Sequence, residues 1–182
     1  MKSMAVFCGS SEGHDPIYME KAKEFGTALA EEGWQLVYGG ARVGCMGAMA
    51  DAVLEAGGEV IGVMPEKLME NERAHEHLTT LHTVQTIHER KAMMMELSDG
   101  LVAFPGGTGT LEEWFEAFTW GIVGFHSKPC GVLNINGYYG PLISLLDHMV
   151  AEGFASEAAM KQIVTSTEPR EFIEKMNGFI KK

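Results

Sequence analysis

The stretch Ala103-Phe104-Pro105-Gly106-Gly107-Thr108-Gly109-Thr110-Leu111-Glu112-Glu113 decides how the rest of the chain is read. Residues 100–104 are a short apolar run that reads as a buried strand. Pro105 and the glycines then turn the chain, and the spacing of Trp114, Phe115 and Phe118 predicts a helix starting near Thr110. Gly106, Gly107 and Gly109 let backbone N–H groups come close to an anion, and the helix N-terminus that follows presents the positive end of its dipole. Strand, glycine turn and helix together form a phosphate cradle. Glu112 and Glu113, one turn into the helix, would repel a phosphate. They suit a part of the ligand that becomes positive during a reaction.

Outward from this stretch, strand-like and helix-like segments alternate. Strands are expected at residues 4–8, 34–38, 60–64, 78–84, 101–104, 131–134 and 163–166. Helices are expected at 16–32, 46–56, 87–97, from Thr110 onward, and at 139–152 and 169–179. Asp15 reads as the N-cap of the first helix, with Pro16 at its first position. Residues 65–76 read as a polar, irregular excursion. Such alternation predicts an α/β fold, a mostly parallel sheet with helices on both faces, in a single domain over residues 1–182. Ligands of such sheets sit beyond the carboxyl ends of the strands.

A chain of 182 residues, 46% hydrophobic, is large enough for a proper core. Its net charge of −11 argues against a nucleic-acid polymer as partner, because that binding rests on clustered Lys and Arg. Cys8, Cys45 and Cys130 are widely spaced and odd in number, which fits a reducing cytoplasm rather than a disulfide framework. Residues 1–8 are strand-like and lack the long apolar region of a secretory leader, and no apolar stretch is long enough for a membrane span.

Three glycine clusters follow strands: Cys8-Gly9-Ser10-Ser11, the run from Gly39-Gly40 through Gly44 to Met46-Gly47, and the opening stretch. None matches the G-x-G-x-x-G dinucleotide fingerprint, since Glu112 stands where its last glycine belongs, and none ends in the Gly-Lys-Ser/Thr of a triphosphate loop. A mononucleotide site fits better than a full dinucleotide or a triphosphate with magnesium; one such cluster alone would read as a plain tight turn, but three at one sheet edge favour a site. Arg90 and Lys91 read as solvated cations, with a second reading open for Arg90 as a group beside the site, because its helix leads straight into the motif strand. Met93 and Met94 on the same helix read as core, and Glu116 as a partner of the helix dipole. His75-x-His77 lacks a third ligand at sensible spacing, so no metal is expected. No serine or cysteine sits in a nucleophile elbow, and Cys8 reads as a small strand-end residue.

The motif Pro105-Gly106-Gly107-Thr108-Gly109-Thr110-Leu111-Glu112-Glu113 resembles the PGGxGTxxE motif of the Lonely Guy family, whose members are cytokinin riboside 5′-monophosphate phosphoribohydrolases. The resemblance covers nearly the whole chain. It takes in Phe7-Cys8-Gly9-Ser10-Ser11, Val37-Tyr38-Gly39-Gly40, His88-Glu89-Arg90-Lys91, Thr119-Trp120, Lys128-Pro129 and Asn136-Gly137-Tyr138-Tyr139. It implies a modified Rossmann fold, a homodimer or an assembly of dimers, and no cofactor. It further implies Arg90 and Glu113 as the catalytic pair, and Gly106, Gly107, Thr108, Gly109 and Thr110 as the phosphate loop. Glu72, Lys91, Glu112 and Thr119 are implied to lie near the nucleotide. The resemblance thus leads to hydrolysis of a purine nucleoside 5′-monophosphate at its N-glycosidic bond. Two other classes compete: a nucleotide-binding or cofactor-carrier module, which needs the loops but not Arg90 and Glu113, and an amino-acid decarboxylase, which needs a lysine set up for pyridoxal phosphate.

Overall fold

A computed structural model of the chain describes residues 1–69 and 73–180. The seven strands are β1 (Lys2–Phe7), β2 (Trp34–Tyr38), β3 (Val60–Pro65), β4 (Thr80–Val84), β5 (Gly100–Ala103), β6 (Cys130–Leu133) and β7 (Ile163–Ser166). Between them run helices α1 (Ile17–Glu31), α2 (Gly44–Glu55), α3 (Ile87–Glu96), α4 (Thr108–Ile122), α5 (Gly140–Ala151), α6 (Glu157–Met160) and α7 (Pro169–Ile180). All strand pairings are parallel, in the order β4-β3-β2-β1-β5-β6-β7. β5 and β6 are apolar along their whole length and buried at every residue, because helices cover both faces of the sheet.

Alternation along each strand divides the core in two. Met4, Val6 and Leu36 point towards α1, α2 and α7, where Phe25, Met49, Phe172 and Met176 meet them. Ala5, Phe7, Val37 and Leu101 point the other way, towards Met94 and Met95 of α3, Trp114 and Phe118 of α4, and Leu142 and Leu146 of α5. Within that second half Trp114 stacks on Phe118, with ring centroids 5.1 Å apart and planes within 9°. This is a Rossmann-like α/β architecture.

All seven expected strands are present. Asp15 caps α1 through its carboxylate, which accepts from the Ile17 N–H at 3.0 Å, although regular helix begins one residue after Pro16. The motif helix starts at Thr108 rather than Thr110, since Gly107 is already extended and serves as its N-cap. The expectation for residues 134–162 missed α6, a single turn capped by Ser156 Oγ on the Ala159 N–H, which is too short to show a helical period.

The chain works outward from β1 to β4, then returns to the other side of β1 as β5. Strand order therefore reverses between β1 and β5, and the loops after these two strands diverge to leave a crevice. They are tied at its base: Phe104 N–H donates to Phe7 O at 2.9 Å, and Gly9 N–H to Pro105 O at 3.1 Å. Two glycine clusters of the sequence meet here.

Candidate active site

The loop after β5 is fixed before it reaches α4. Tyr139 Oη donates to Phe104 O at 2.8 Å and Tyr138 Oη to Gly106 O at 2.6 Å, both from the turn that follows β6. Gly106 has to be glycine, because a Cβ there would lie 2.7 Å from the Gly9 nitrogen and overlap Thr110 Oγ1. Apart from adjoining residues and the α4 backbone itself, no atom of the described residues stands within 4 Å of where a Cβ on Gly107 or Gly109 would be. Gly107, the N-cap of α4, brings no side chain to close that end. The first N–H groups of a helix have no partner inside it, so this end of α4 offers open donors and a positive dipole end to an anion.

These donors face a cleft of about 230 Å³ lined by Cys8, Gly9, Ser10, Met46, Arg90, Gly107, Thr108, Gly109, Thr110 and Glu113. Residues from four separate loops or helix ends thus converge on one space. Arg90 comes from the first turn of α3, whose N-terminus is set by Thr86 Oγ1 accepting from the Glu89 N–H, and it is 5% exposed. Glu113 reaches the cleft from the second turn of α4. Burial pushes the Cys8 thiol well above its usual range; Cys45 and Glu113 add to the rise and Arg90 opposes it. Cys8 is therefore a neutral thiol, within electrostatic reach of both Arg90 and Glu113. Adjoining the cleft, and sharing Gly9, Ser10 and Gly107 with it, is a cavity of about 300 Å³ that also includes Tyr18, Cys45, Pro105 and Tyr138.

A family model described as possible lysine decarboxylase matches residues 46–176. The cytokinin riboside 5′-monophosphate phosphoribohydrolase of Rhodococcoides fascians is 48% identical over 164 residues, which cover 90% of this chain and 83% of that one. Proteins bearing the same name from Oryza sativa subsp. japonica and Arabidopsis thaliana are 41% and 43% identical, each across 98% of this chain and 74% and 84% of their own. The chain belongs to the Lonely Guy family. Solved structures similar in fold include a molybdenum cofactor binding protein from Rippkaea orientalis, at a TM-score of 0.75 and 24% identity, covering 98% of this chain and 97% of that one. A Moco carrier protein from Chlamydomonas reinhardtii has a TM-score of 0.74 and 20% identity, with 100% and 98% covered. At such identities the likeness concerns the fold alone.

Of the residues that the family resemblance picks out, Arg90, Glu113, Gly107, Thr108, Gly109 and Thr110 line the cleft, and Gly106 lies in the adjoining cavity. Lys91, Glu112 and Thr119 are not in that lining. Lys91 is 3% exposed and pairs with both Glu112 and Glu116, tying α3 to α4. Glu116 is thus an ion-pair partner and not merely a dipole partner; the signal was its four-residue spacing from Glu112, which puts both on one face of the helix. Burial works against the Lys91 charge, yet the two carboxylates outweigh it and hold the ammonium above the usual lysine range. Thr119 is exposed, and Glu72 lies outside the described residues.

Residues that the sequence marks only as parts of motifs, with no role attached, also shape the site: Met46, Ser10, and the two tyrosines that hold the loop. His75 has a structural role. Its Nε2 lies 2.9 Å from Asp51 Oδ1, its Nδ1 accepts from the His77 N–H, and its own N–H donates to Gly40 O. Among the described residues no three His, Cys, Asp or Glu side chains gather as metal ligands, and no helix is long and apolar enough to cross a membrane.

Proposed function

We propose that this protein hydrolyses the N-glycosidic bond of a purine nucleoside 5′-monophosphate, a cytokinin riboside or adenosine monophosphate, to free base and ribose 5-phosphate. One observation carries the reading: the open N-terminus of α4, Arg90 and Glu113 all face a single cleft. The α4 N–H groups hold the 5′-phosphate. Water adds to C1′ as the bond to N9 breaks; the bond's electron pair leaves with the base, and the proton shed by the water ends on the base. Positive charge grows on the ribose in an oxocarbenium-like transition state. Glu113 either faces that charge or orients the water, and both roles need its carboxylate ionised. Arg90 brings a guanidinium, which acts as an electrostatic clamp on the phosphate or on the departing base, not as a proton donor.

A lysine decarboxylase would need an amine ready to form an imine. Lys91 is the wrong species for that, since Glu112 and Glu116 hold it as an ammonium. It serves instead to fix the start of α4 against α3. The protein pairs as a homodimer through the C-terminal end of α4. Trp114 and Phe118 are taken up by the core, which leaves Trp120, Ile122, Val123 and Phe125 as the exposed apolar residues of this region. Three free, buried cysteines agree with a reducing, cytoplasmic setting.

The test is incubation with isopentenyladenosine 5′-monophosphate and with AMP, measuring free base and ribose 5-phosphate. Equimolar release of both products from at least one substrate is expected. No release from either, with ribose 5-phosphate still bound, would leave a binding module as the better reading.

A further inference from the structure

Arg90 reaches the cleft by lying against a residue with no side chain. Gly39 follows β2, directly beside β1 in the sheet. A Cβ on Gly39 would overlap Arg90 Nη2, lie 3.0 Å from Cζ and come within 3.3 Å of Met46 Sδ. Met46 and Arg90 are themselves lining residues of the cleft. The neighbouring Gly40 has φ +83°, a conformation that excludes side chains by backbone alone, but Gly39 is not among the glycines with positive φ. A left-handed backbone is therefore not what calls for glycine at this position. What excludes alanine there is the guanidinium.

We infer that Gly39 is a positioning residue for Arg90, its bare Cα forming the seat on which the guanidinium is held in the cleft. This inference rests on the proposed role of Arg90 in hydrolysis. A methyl group on the seat would push a planar, rigid head sideways by an ångström or more, because the Arg90 side chain is buried and the thioether of Met46 closes another side. Misplacement by about 1 Å costs on the order of 100-fold in rate. Glycine at this point thus sets where the guanidinium supplied by α3 stands in the cleft.

The experiment is a cycle of Gly39→Ala, Arg90→Ala and the double variant, read by turnover of the monophosphate and by Tm. Gly39→Ala should lose about 100-fold in turnover and, through overpacking, on the order of 3–10 °C in Tm. In the Arg90→Ala background the methyl has room, so the same change should leave Tm nearly unmoved. If Gly39→Ala alone does not fold but the double variant does, the coupling is shown in its strongest form. Parent-like turnover of Gly39→Ala where Arg90→Ala is impaired, an equal Tm loss in both backgrounds, or failure of both Gly39→Ala proteins to fold would each overturn the inference. Parent-like turnover of Arg90→Ala with the Tm coupling intact would support the seat while removing Arg90 from the proposed mechanism.

Discussion

Glu113 and Arg90 stand in one cleft with opposite charges, and their proposed roles separate by experiment. Glu113→Gln keeps shape and hydrogen bonding but removes the charge that an oxocarbenium-like transition state or an attacking water requires. Turnover should fall roughly 100- to 1,000-fold, with affinity for AMP or ribose 5-phosphate unchanged or tighter, because a negative charge near the phosphate is relieved. Turnover at the parent rate would refute the carboxylate role of Glu113. Arg90→Ala should lower both turnover and ribose 5-phosphate affinity if the guanidinium clamps phosphate. Loss of turnover with affinity kept would place its work at the departing base. Affinity by calorimetry alongside steady-state rates distinguishes these outcomes. A third single-residue change tests the loop itself. Tyr139→Phe removes the buried donor to Phe104 O and should cost about 1 kcal/mol of stability in urea unfolding.

At the scale of elements, the cleft depends on α3 and α4 keeping their places, and Lys91 links the two helices through Glu112 and Glu116. Lys91→Met leaves two carboxylates without their cation. A fully buried pair would cost about 3–5 kcal/mol to break, but Glu112 is more than half exposed, so about 1–2 kcal/mol is expected. The effect depends on pH. Because the folded-state pKa of Lys91 is raised, the tie contributes fully below about pH 10.4, where an unfolded lysine is still protonated. It is lost as pH rises through the higher folded value. The stability difference between parent and Lys91→Met should therefore hold from pH 8 to 10 and shrink above that; a difference that grows with pH would refute the ion-pair account. These elements were unequally legible in the sequence. Apolar runs mark β1, β2, β3, β5 and β6, whereas β4 (Thr-Leu-His-Thr-Val) and β7 (Ile-Val-Thr-Ser), the partly exposed edge strands, are half polar and legible only from the alternation of elements. The cradle was legible because strand, glycine turn and helix are contiguous in the chain. Partnerships across elements were not: nothing local links Lys91 to Glu116, Tyr138 to Gly106 or Gly39 to Arg90, which lie tens of residues apart. The α6 turn left no period to read, and the switch point between β1 and β5 follows from strand order, which alternation alone does not determine.

For the whole molecule, the reversal of strand order at β1 brings the Cys8-Gly9-Ser10 and Pro105–Thr110 loops to one crevice and leaves the far end of α4 exposed. The apolar surface of Trp120, Ile122, Val123 and Phe125 is the proposed pairing face. Light scattering should give twice the 19.9 kDa of one chain, and Phe125→Glu combined with Trp120→Ala should reduce it to one. A parent protein at the single-chain mass would refute the pairing. The central claim concerns the chemistry in the cleft: phosphate held at the α4 N-terminus positions the glycosidic bond before Glu113 and Arg90. It is tested most directly by comparing kcat/KM for a nucleoside 5′-monophosphate with that for the same nucleoside without its phosphate. Two or more hydrogen bonds to a charged group place the monophosphate ahead by about 100-fold or more. Equal kcat/KM for the two would contradict the account.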